Sequence, residues 1–320
     1  VSAADVLEVE GLNLHLESAG RPLHVVRSVD LTLRPSEVLG LIGESGSGKT
    51  MTGMSLLRLE PEGARIAARK MRLDDSDLLH ASPAALRHLR GRRIGMIFQD
   101  PVGAFNPAKR IGWHARQVLK PAGGAWRQQA TELLAEVDIA DGPRVLAAYP
   151  HQLSGGMLQR VLIALVLAAG PQVIIADEPT TNLDNIVEKQ ILRLFRRMKR
   201  GHGAAFIFIT HDMSVAAAVS DRIAVMYAGE IVEIGPTRAV FEAPRHPYTI
   251  GLIRTARALQ EGAERLPEIA GELPSLSEER AGCAFAPRCP SRRADCTTRP
   301  IGLAPIGTEA QVRCLLFDGA

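Results

Sequence analysis

The run Gly43-Glu44-Ser45-Gly46-Ser47-Gly48-Lys49-Thr50 constrains this chain more than any other stretch. It is a glycine, four residues, then Gly-Lys-Thr. The apolar Val38-Leu39-Gly40-Leu41-Ile42 precedes it at strand length, and Met51 to Leu59 reads as a helix. Strand, glycine-rich loop and helix together make a phosphate cradle. Glycines let the backbone curl so that several N–H groups face one phosphate chain, and the helix N-terminus adds partial positive charge. Lys49 is expected to reach β- and γ-phosphates and the Thr50 hydroxyl to ligate Mg²⁺, so Gly43 to Met51 form the candidate phosphate site. The competing reading is an ordinary glycine-rich turn ahead of a helix.

A second site supports the first. Val173-Ile174-Ile175-Ala176 is a buried-strand pattern that ends on Asp177-Glu178. Adjacent charges there need a reason, because unpaired buried charge is costly. Beside a nucleotide both have work. Asp177 can hold Mg²⁺ through its water shell, and Glu178 can accept a hydrogen bond from the attacking water and polarise it. A solvated strand end is the plainer alternative.

Between these sites lies Leu153-Ser154-Gly155-Gly156-Met157, ahead of Leu158-Gln159-Arg160 and a long apolar helix. It resembles the LSGGQ signature of ATP-binding cassette (ABC) proteins, with Met157 in the last position. Gln99, in Phe98-Gln99-Asp100-Pro101, resembles the family's Q-loop. Asn182-Leu183-Asp184 resembles its D-loop, and Thr210-His211-Asp212, after Phe206-Ile207-Phe208-Ile209, its H-loop. The order of the motifs along the chain makes the resemblance specific. It implies that Ser154, Gly155 and Gly156 offer N–H groups to a γ-phosphate, that Gln99 contributes to the Mg²⁺ site, and that His211 senses the γ-phosphate.

The resemblance narrows to the ATPase subunits of oligopeptide, dipeptide and nickel importers. Ala243-Pro244-Arg245-His246-Pro247-Tyr248-Thr249 resembles the element that opens their C-terminal extension. Tyr149-Pro150-His151-Gln152, Gly271-Glu272-Leu273-Pro274-Ser275-Leu276 and the cysteine-bearing tail also resemble that group. The likeness runs from about Leu7 to Leu315. It implies an α/β fold: an ABC-type P-loop nucleotide-binding domain over residues 1–242, with a RecA-like parallel sheet core and an antiparallel β subdomain. A helical signature subdomain would cover about 101–170, and a small cysteine-containing extension residues 243–320. The implied function is ATP hydrolysis powering import of di- or oligopeptides or a related small solute, nickel or another metal chelate being the alternative within the group. Implied partners are a second homologous ATPase subunit in a head-to-tail dimer, two membrane permease subunits, and indirectly an extracytoplasmic solute-binding protein. The place of work would be the cytoplasmic face of the inner membrane, peripherally. A non-transport ABC ATPase is a rival, but the large inserts, coiled coils or second cassette usual there do not occur in this sequence. A regulatory module without turnover is another, opposed by the intact Lys49, Asp177, Glu178 and His211.

Composition agrees. The 320 residues suggest about two domains. Hydrophobic residues make up 46%, enough for a sizeable core. A net charge of +3 from 38 basic and 35 acidic residues gives no argument for nucleic acid. The longest clean apolar stretch, Val161 to Ala169, falls short of the roughly 20 residues that span a bilayer. No basic-then-apolar pattern near the start suggests a secretory signal. Work at a membrane would therefore go through an embedded partner.

Leu7 to Leu33 alternates apolar residues and reads as antiparallel strands, and Arg65 to Leu79 as further short strands. Ser82-Pro83 reads as a capped helix start, Arg90 to Arg93 as a solvated basic face, and Ile94 to Phe98 as a strand. From about Pro101 to Gly170 the pattern is mostly helical, broken at Pro121, Gly123, Gly124, Gly142, Pro143 and Pro150. Val173 to Ile234 alternates strands and helices, implying a largely parallel sheet. Beyond Pro244 the composition turns to Pro, Arg and Glu, and less order is expected.

All four cysteines, Cys283, Cys289, Cys296 and Cys314, lie in this tail. Their clustering argues for a metal centre rather than disulfides. The spacings are wider than structural zinc usually shows. A [4Fe-4S] cluster is the preferred reading, with zinc and free thiols or disulfides as alternatives. Arg288, Arg292, Arg293 and Arg313 are expected to offset its charge. Little core-forming pattern surrounds it, and its distance in sequence from the ATP motifs points to a structural role.

Three positions depart from the family pattern. Leu16, with His15 beside it, stands where an aromatic usually stacks on adenine, so either stacking is weaker or His24 takes the role. Asn182 replaces the usual D-loop alanine. Ile250 stands where arginine is frequent, for no reason visible in the sequence.

Overall fold

The computed structural model describes residues 4–317 other than 19, 120–124, 182, 264 and 266. Its elements in chain order begin with β1 (Leu7–Ser18), β2 (Arg21–Leu33), β3 (Val38–Ile42), α1 (Lys49–Leu56), β4 (Arg65–Ala67), β5 (Lys70–Leu73) and β6 (Ser76–Asp77). There follow α2 (Pro83–Leu89), β7 (Ile94–Ile97), α3 (Ile111–Val118), α4 (Trp126–Glu136), α5 (Gly142–Ala147), α6 (Gly155–Ala168), β8 (Val173–Asp177) and α7 (Asn185–His202). The last are β9 (Ala205–Thr210), α8 (Met213–Val219), β10 (Arg222–Tyr227), β11 (Glu230–Pro236), α9 (Thr237–Glu242), α10 (Pro247–Gln260), β12 (Ala304–Ile306) and β13 (Ala310–Val312). The chain forms two compact units, residues 1–82 with 207–320, and residues 83–206.

In the first unit, β1 and β2 form the long antiparallel pair expected from the alternation, with Leu7 opposite Leu33 and Leu16 opposite Leu23. The apolar beat of β1 skips from Val9 to Leu12 because the register shifts there, beside Gly11 at a φ of 61°. A bulge of this kind returns Leu12 and Leu14 to the buried face. The strand order is β2-β1-β5-β6, with β4 also on β1. A second sheet runs β12-β13-β11-β10-β3 and continues to β9. β3 and β10 are parallel, whereas β10 with β11 and β11 with β13 are antiparallel. All of β3 is buried, as a strand with cover on both faces requires.

The tail is more ordered than its composition suggests. α10 begins at Pro247 behind an N-cap at His246, and β13 extends the sheet at β11. Tyr248, Ile253, Ala284 and Phe285 join the core around Ile42, Val225 and Tyr227. A single phenylalanine in a polar segment carries no periodic signal, so this burial was invisible to pattern reading.

In the second unit, β7 and β8 are parallel, with Ile94 opposite Val173 and Ile97 opposite Ala176. The helical stretch is present as α3 to α6. Ala115, Leu119 and Ala130 form a small core flanked by Trp126, Leu133, Leu146 and Leu165. The breakers Pro121, Gly123 and Gly124, like Asn182, fall outside the described residues. No described helix is long and apolar enough to cross a membrane.

Candidate functional site

The loop after β3 is built as its glycines predict. Gly48 caps α1 at a φ of 101°, in the left-handed region, and a Cβ there would lie 2.8 Å from the Val25 carbonyl oxygen. Gly43 runs so close to the Met226 carbonyl that a Cβ would meet it at 2.1 Å. Only glycine satisfies both positions without strain. Lys49 is buried, and its Nζ donates to the carbonyls of Gly43 (2.8 Å) and Glu44 (2.9 Å). The lysine thus already spans the loop it is expected to serve. Ser47 is fully buried, and its Oγ finds no hydrogen-bond partner among the described residues. Ser45 and Gly46 are exposed, and Thr50 and Met51 half-buried. A glycine-lined curl, a buried lysine and an unsatisfied hydroxyl at a helix N-terminus fit a triphosphate.

In the second unit the two carboxylates sit as the strand pattern predicts. Asp177 ends β8 and is 3% exposed. Glu178 follows at a φ of 43°, an uncommon conformation for a non-glycine residue that clusters at functional sites. Gln99 Nε2 and Thr181 Oγ1 both donate to Glu178 Oε2, at 3.1 and 2.8 Å. Gln99, Asp177 and Glu178 are therefore gathered in one place, and Thr181 joins them without any sequence signal. The Ser154-Gly155-Gly156 segment forms a separate place in the same unit. Ser154 caps α6, its Oγ accepting from Met157 N at 3.3 Å. This helix start lines a cavity of about 570 Å³ with Arg160, Leu183, Asp184 and Val187. The D-loop resemblance at Leu183-Asp184 thus lies beside the signature resemblance.

His211 is exposed and follows β9 directly. The next residue, Asp212, caps α8 by accepting from Ser214 N and Val215 N. That cap fixes the chain direction on which His211 stands. Upstream, His15 stacks on His24 with centroids 3.9 Å apart. Leu16 and His15 line a cavity of about 460 Å³ with Glu17, Pro22 and Arg65.

The four cysteines come together. Cys283, Cys289, Cys296 and Cys314 all line one small cavity of about 20 Å³, along with His246 and Phe285. No group of three or more metal-ligating side chains able to hold a metal ion is found among the described residues. Burial pushes the Cys283 thiol up to about 11 and raises those of Cys289 and Cys314. Burial also holds the His246 imidazole down at about 3, so it is neutral. Its Nδ1 accepts from Tyr248 N at 3.1 Å, while Glu233 accepts from the backbone of Arg245 and His246.

Two of the expectations for the tail need correction. It is remote in sequence from the phosphate loop but adjacent in space. The Tyr248 hydroxyl accepts from Glu44 N at 2.9 Å, and Arg288 forks onto the Glu44 carboxylate at 2.9 and 3.2 Å. Arg288 and Arg313 are also not countercharges for the thiols: Arg288 pairs with Glu44, and Arg313 lies 3.7 Å from Glu230. Besides Thr181, reading the sequence missed the place of Tyr248 and Arg288 beside the phosphate loop. The His-Pro-Tyr resemblance drew attention to the first, and the second was read only as a countercharge for the cysteines.

Residues 26–181 match the family model for the ABC transporter, and residues 232–296 that for the oligopeptide/dipeptide transporter C-terminal region. The chain is 42% identical over 314 residues to the probable D,D-dipeptide transport ATP-binding protein DdpD of Escherichia coli (strain K12), covering 97% of this chain and 95% of that one. Among solved structures, the dimeric structure of a bacterial ABC transporter cassette is 25% identical at a TM-score of 0.64, covering 72% of this chain and 99% of that one. A dimeric post-hydrolysis ATP-binding cassette bound to ADP and Pi has the same TM-score at 24% identity, with the same coverage, and shares the fold.

Proposed function

The chain belongs to the ABC transporter family, and we propose that it is the ATP-binding and ATP-hydrolysing subunit of an importer for di- or oligopeptides. The observation that carries this reading is the union in one chain of the phosphate loop Gly43 to Thr50 with an oligopeptide/dipeptide transporter C-terminal region. The ATPase domain takes residues 1–242, with its helical subdomain about 101–170, and the extension takes 243–320.

Lys49 binds the β- and γ-phosphates, exchanging its bonds to the loop carbonyls for bonds to phosphate oxygens. The N–H groups of Gly43 to Thr50 bind the remaining phosphate oxygens, next to Met51 in the first turn of α1. Thr50, Asp177 and Gln99 are the residues that would hold Mg²⁺, which would supply charge neutralisation at the phosphates. Glu178 orients the attacking water and takes its proton as oxygen bonds to phosphorus and the bond to ADP breaks. The Gln99 and Thr181 bonds hold one oxygen of that carboxylate in place for this role. His211 contacts the γ-phosphate and reports its presence.

Ser154, Gly155 and Gly156 serve the nucleotide of a second ATPase subunit arranged head to tail. Closure of the pair drives two membrane permease subunits, coupled through the region of Gln99. The chain sits peripherally on the cytoplasmic face of the membrane, and an extracytoplasmic binding protein delivers the solute. The four cysteines, which all line one cavity, would hold a [4Fe-4S] cluster once drawn closer than they stand here, where no three metal-ligating side chains among the described residues are placed to take a metal ion. Chain purified without oxygen is then expected to carry about four iron atoms and absorb broadly in the visible, whereas stoichiometric zinc would replace the cluster by a zinc site.

The test of the main reading is ATP hydrolysis by the whole transporter in proteoliposomes, with a mixture of di- to pentapeptides as probe. Peptide-stimulated release of phosphate is expected. A transporter that hydrolyses no ATP, or a chain that purifies without permease subunits, would overturn it.

A further inference from the structure

Glu44 places a carboxylate in a loop that must accept a polyanion. A free carboxylate there would repel the phosphates and could itself take the N–H groups meant for them, since helix N-termini bind carboxylates as readily as phosphate. The structure deals with this acid from the C-terminal extension. Arg288 Nη1 lies 2.9 Å from Glu44 Oε2 and Nη2 3.2 Å from Oε1, a bidentate fork. The Arg288 side chain is 6% exposed, against 28% for Glu44. Arg288 is in turn fixed by donating to the carbonyls of Ala270 (3.0 Å) and Ile269 (2.8 Å) and to the Tyr227 hydroxyl (3.2 Å). Its guanidinium also lies over the rings of Tyr227 and Phe285. The turn that carries it is anchored at both ends by cysteine backbone: Ala286 N donates to Cys283 O, and Cys289 N to Ala286 O.

We propose that Arg288 is a positioning residue for nucleotide binding: it neutralises the Glu44 carboxylate and holds it away from the phosphate cradle. The extension is thereby part of the nucleotide-binding apparatus. The Tyr248 hydroxyl, accepting from Glu44 N, fixes the backbone of the same residue. This inference rests on the reading of Gly43 to Thr50 as an ATP site.

The experiment is equilibrium binding of a fluorescent ATP analogue with Mg²⁺ to the full chain, competed with unlabelled ATP. Arg288→Gln is expected to weaken ATP binding by about tenfold, the scale of a lost charge-assisted bond. Arg288→Gln combined with Glu44→Gln should recover affinity to within about threefold of the unaltered chain, because the acid that needed restraint is gone. A purely structural tie to Ala270 and Ile269 would give no such recovery. Glu44→Gln alone leaves every other Arg288 bond in place, so it tests the proposal even if Arg288→Gln fails to fold. It should bind ATP at least as tightly as the unaltered chain. Unchanged affinity in Arg288→Gln, a double variant as weak as the single, or a tenfold loss in Glu44→Gln would each overturn the proposal. If the unaltered chain binds no ATP, the reading of the site fails first, and this one with it.

Discussion

Gln99 Nε2 donates to Glu178 Oε2 across 3.1 Å, joining an exposed residue two positions after β7 to the residue after β8. Because β7 and β8 are parallel neighbours, both side chains leave the same end of the strand pair. Open α/β sheets put their ligand chemistry at the carboxyl ends of parallel strands, and this pair obeys that rule. Thr181 adds its hydroxyl to the same oxygen, so two donors hold the Glu178 carboxylate in place.

Glu178→Gln should therefore keep ATP binding and lose hydrolysis. Removing a general base typically costs about 10²–10⁴ in rate. The measurement is phosphate release by the assembled transporter alongside nucleotide affinity of the isolated chain. Near-normal turnover would remove Glu178 from the base role.

How much of this was legible depended on range. The phosphate loop could be read because strand, glycines and helix are contiguous, and the geometry of Gly48 is local. The Asp177-Glu178 pair was legible because charge at the end of an apolar strand contradicts burial. The start of α10 carried a usable signal too, Pro247 just inside the helix after a capping residue. The Pro-, Arg- and Glu-rich composition beyond it argued for less order and won wrongly. The Arg288–Glu44 pair spans 244 positions, and no periodicity or spacing links such residues. Only the tertiary path of the tail brings them together.

Lys49→Ala removes a buried ammonium bonded to two loop carbonyls. ATP affinity should fall by about 10- to 100-fold, from lost charge-assisted bonds of roughly 1.5–3 kcal/mol. The loop itself should also loosen, which amide hydrogen exchange across residues 43–50 would register as faster exchange without nucleotide. Unchanged ATP affinity would take Lys49 out of the site.

Leu16 lines the cavity beside the stacked His15 and His24 rings. If adenine lies there, Leu16→Tyr should tighten ATP binding, since stacking a base on an aromatic is worth roughly 1–3 kcal/mol in nucleic-acid grooves. The gain should appear for ATP and not for inorganic triphosphate. Equal effects on both, or none, would put the base elsewhere.

Acid should destabilise the first unit through His24. Burial foremost, then the neighbouring Arg27 and His15, hold its imidazole down at about 4 rather than 6.5. Arg280 opposes its protonation as well, and Asn13 Oδ1 lies 2.9 Å from Nε2. Between those two values the unfolded chain binds a proton that the folded chain does not. The stabilisation from a neutral His24 is thus present above about pH 6.5 and lost as pH falls toward 4. The urea midpoint of the full chain should drop between pH 7.5 and 5, and the drop should be smaller in His24→Gln. An identical drop in the variant would assign the acid sensitivity to other groups.

The two glycines that open α6 should respond differently to alanine. At Gly155 a Cβ would meet nothing within 4 Å, whereas at Gly156 it would lie 2.9 Å from Val187 Cγ1. Valine is stiff about χ1 and cannot swing aside without strain. Gly156→Ala should therefore cost about 1–3 kcal/mol of stability by overpacking, and Val187→Ala should recover most of it in the double variant. Gly155→Ala should leave stability unchanged or slightly raised, since alanine is the better helix former. Urea denaturation of the three variants and the double variant measures this. Any loss of ATP hydrolysis in Gly155→Ala would then come from blocked approach of a nucleotide to the exposed helix start, and not from misfolding. Equal destabilisation at both glycines would show that contact with Val187 does not explain the second.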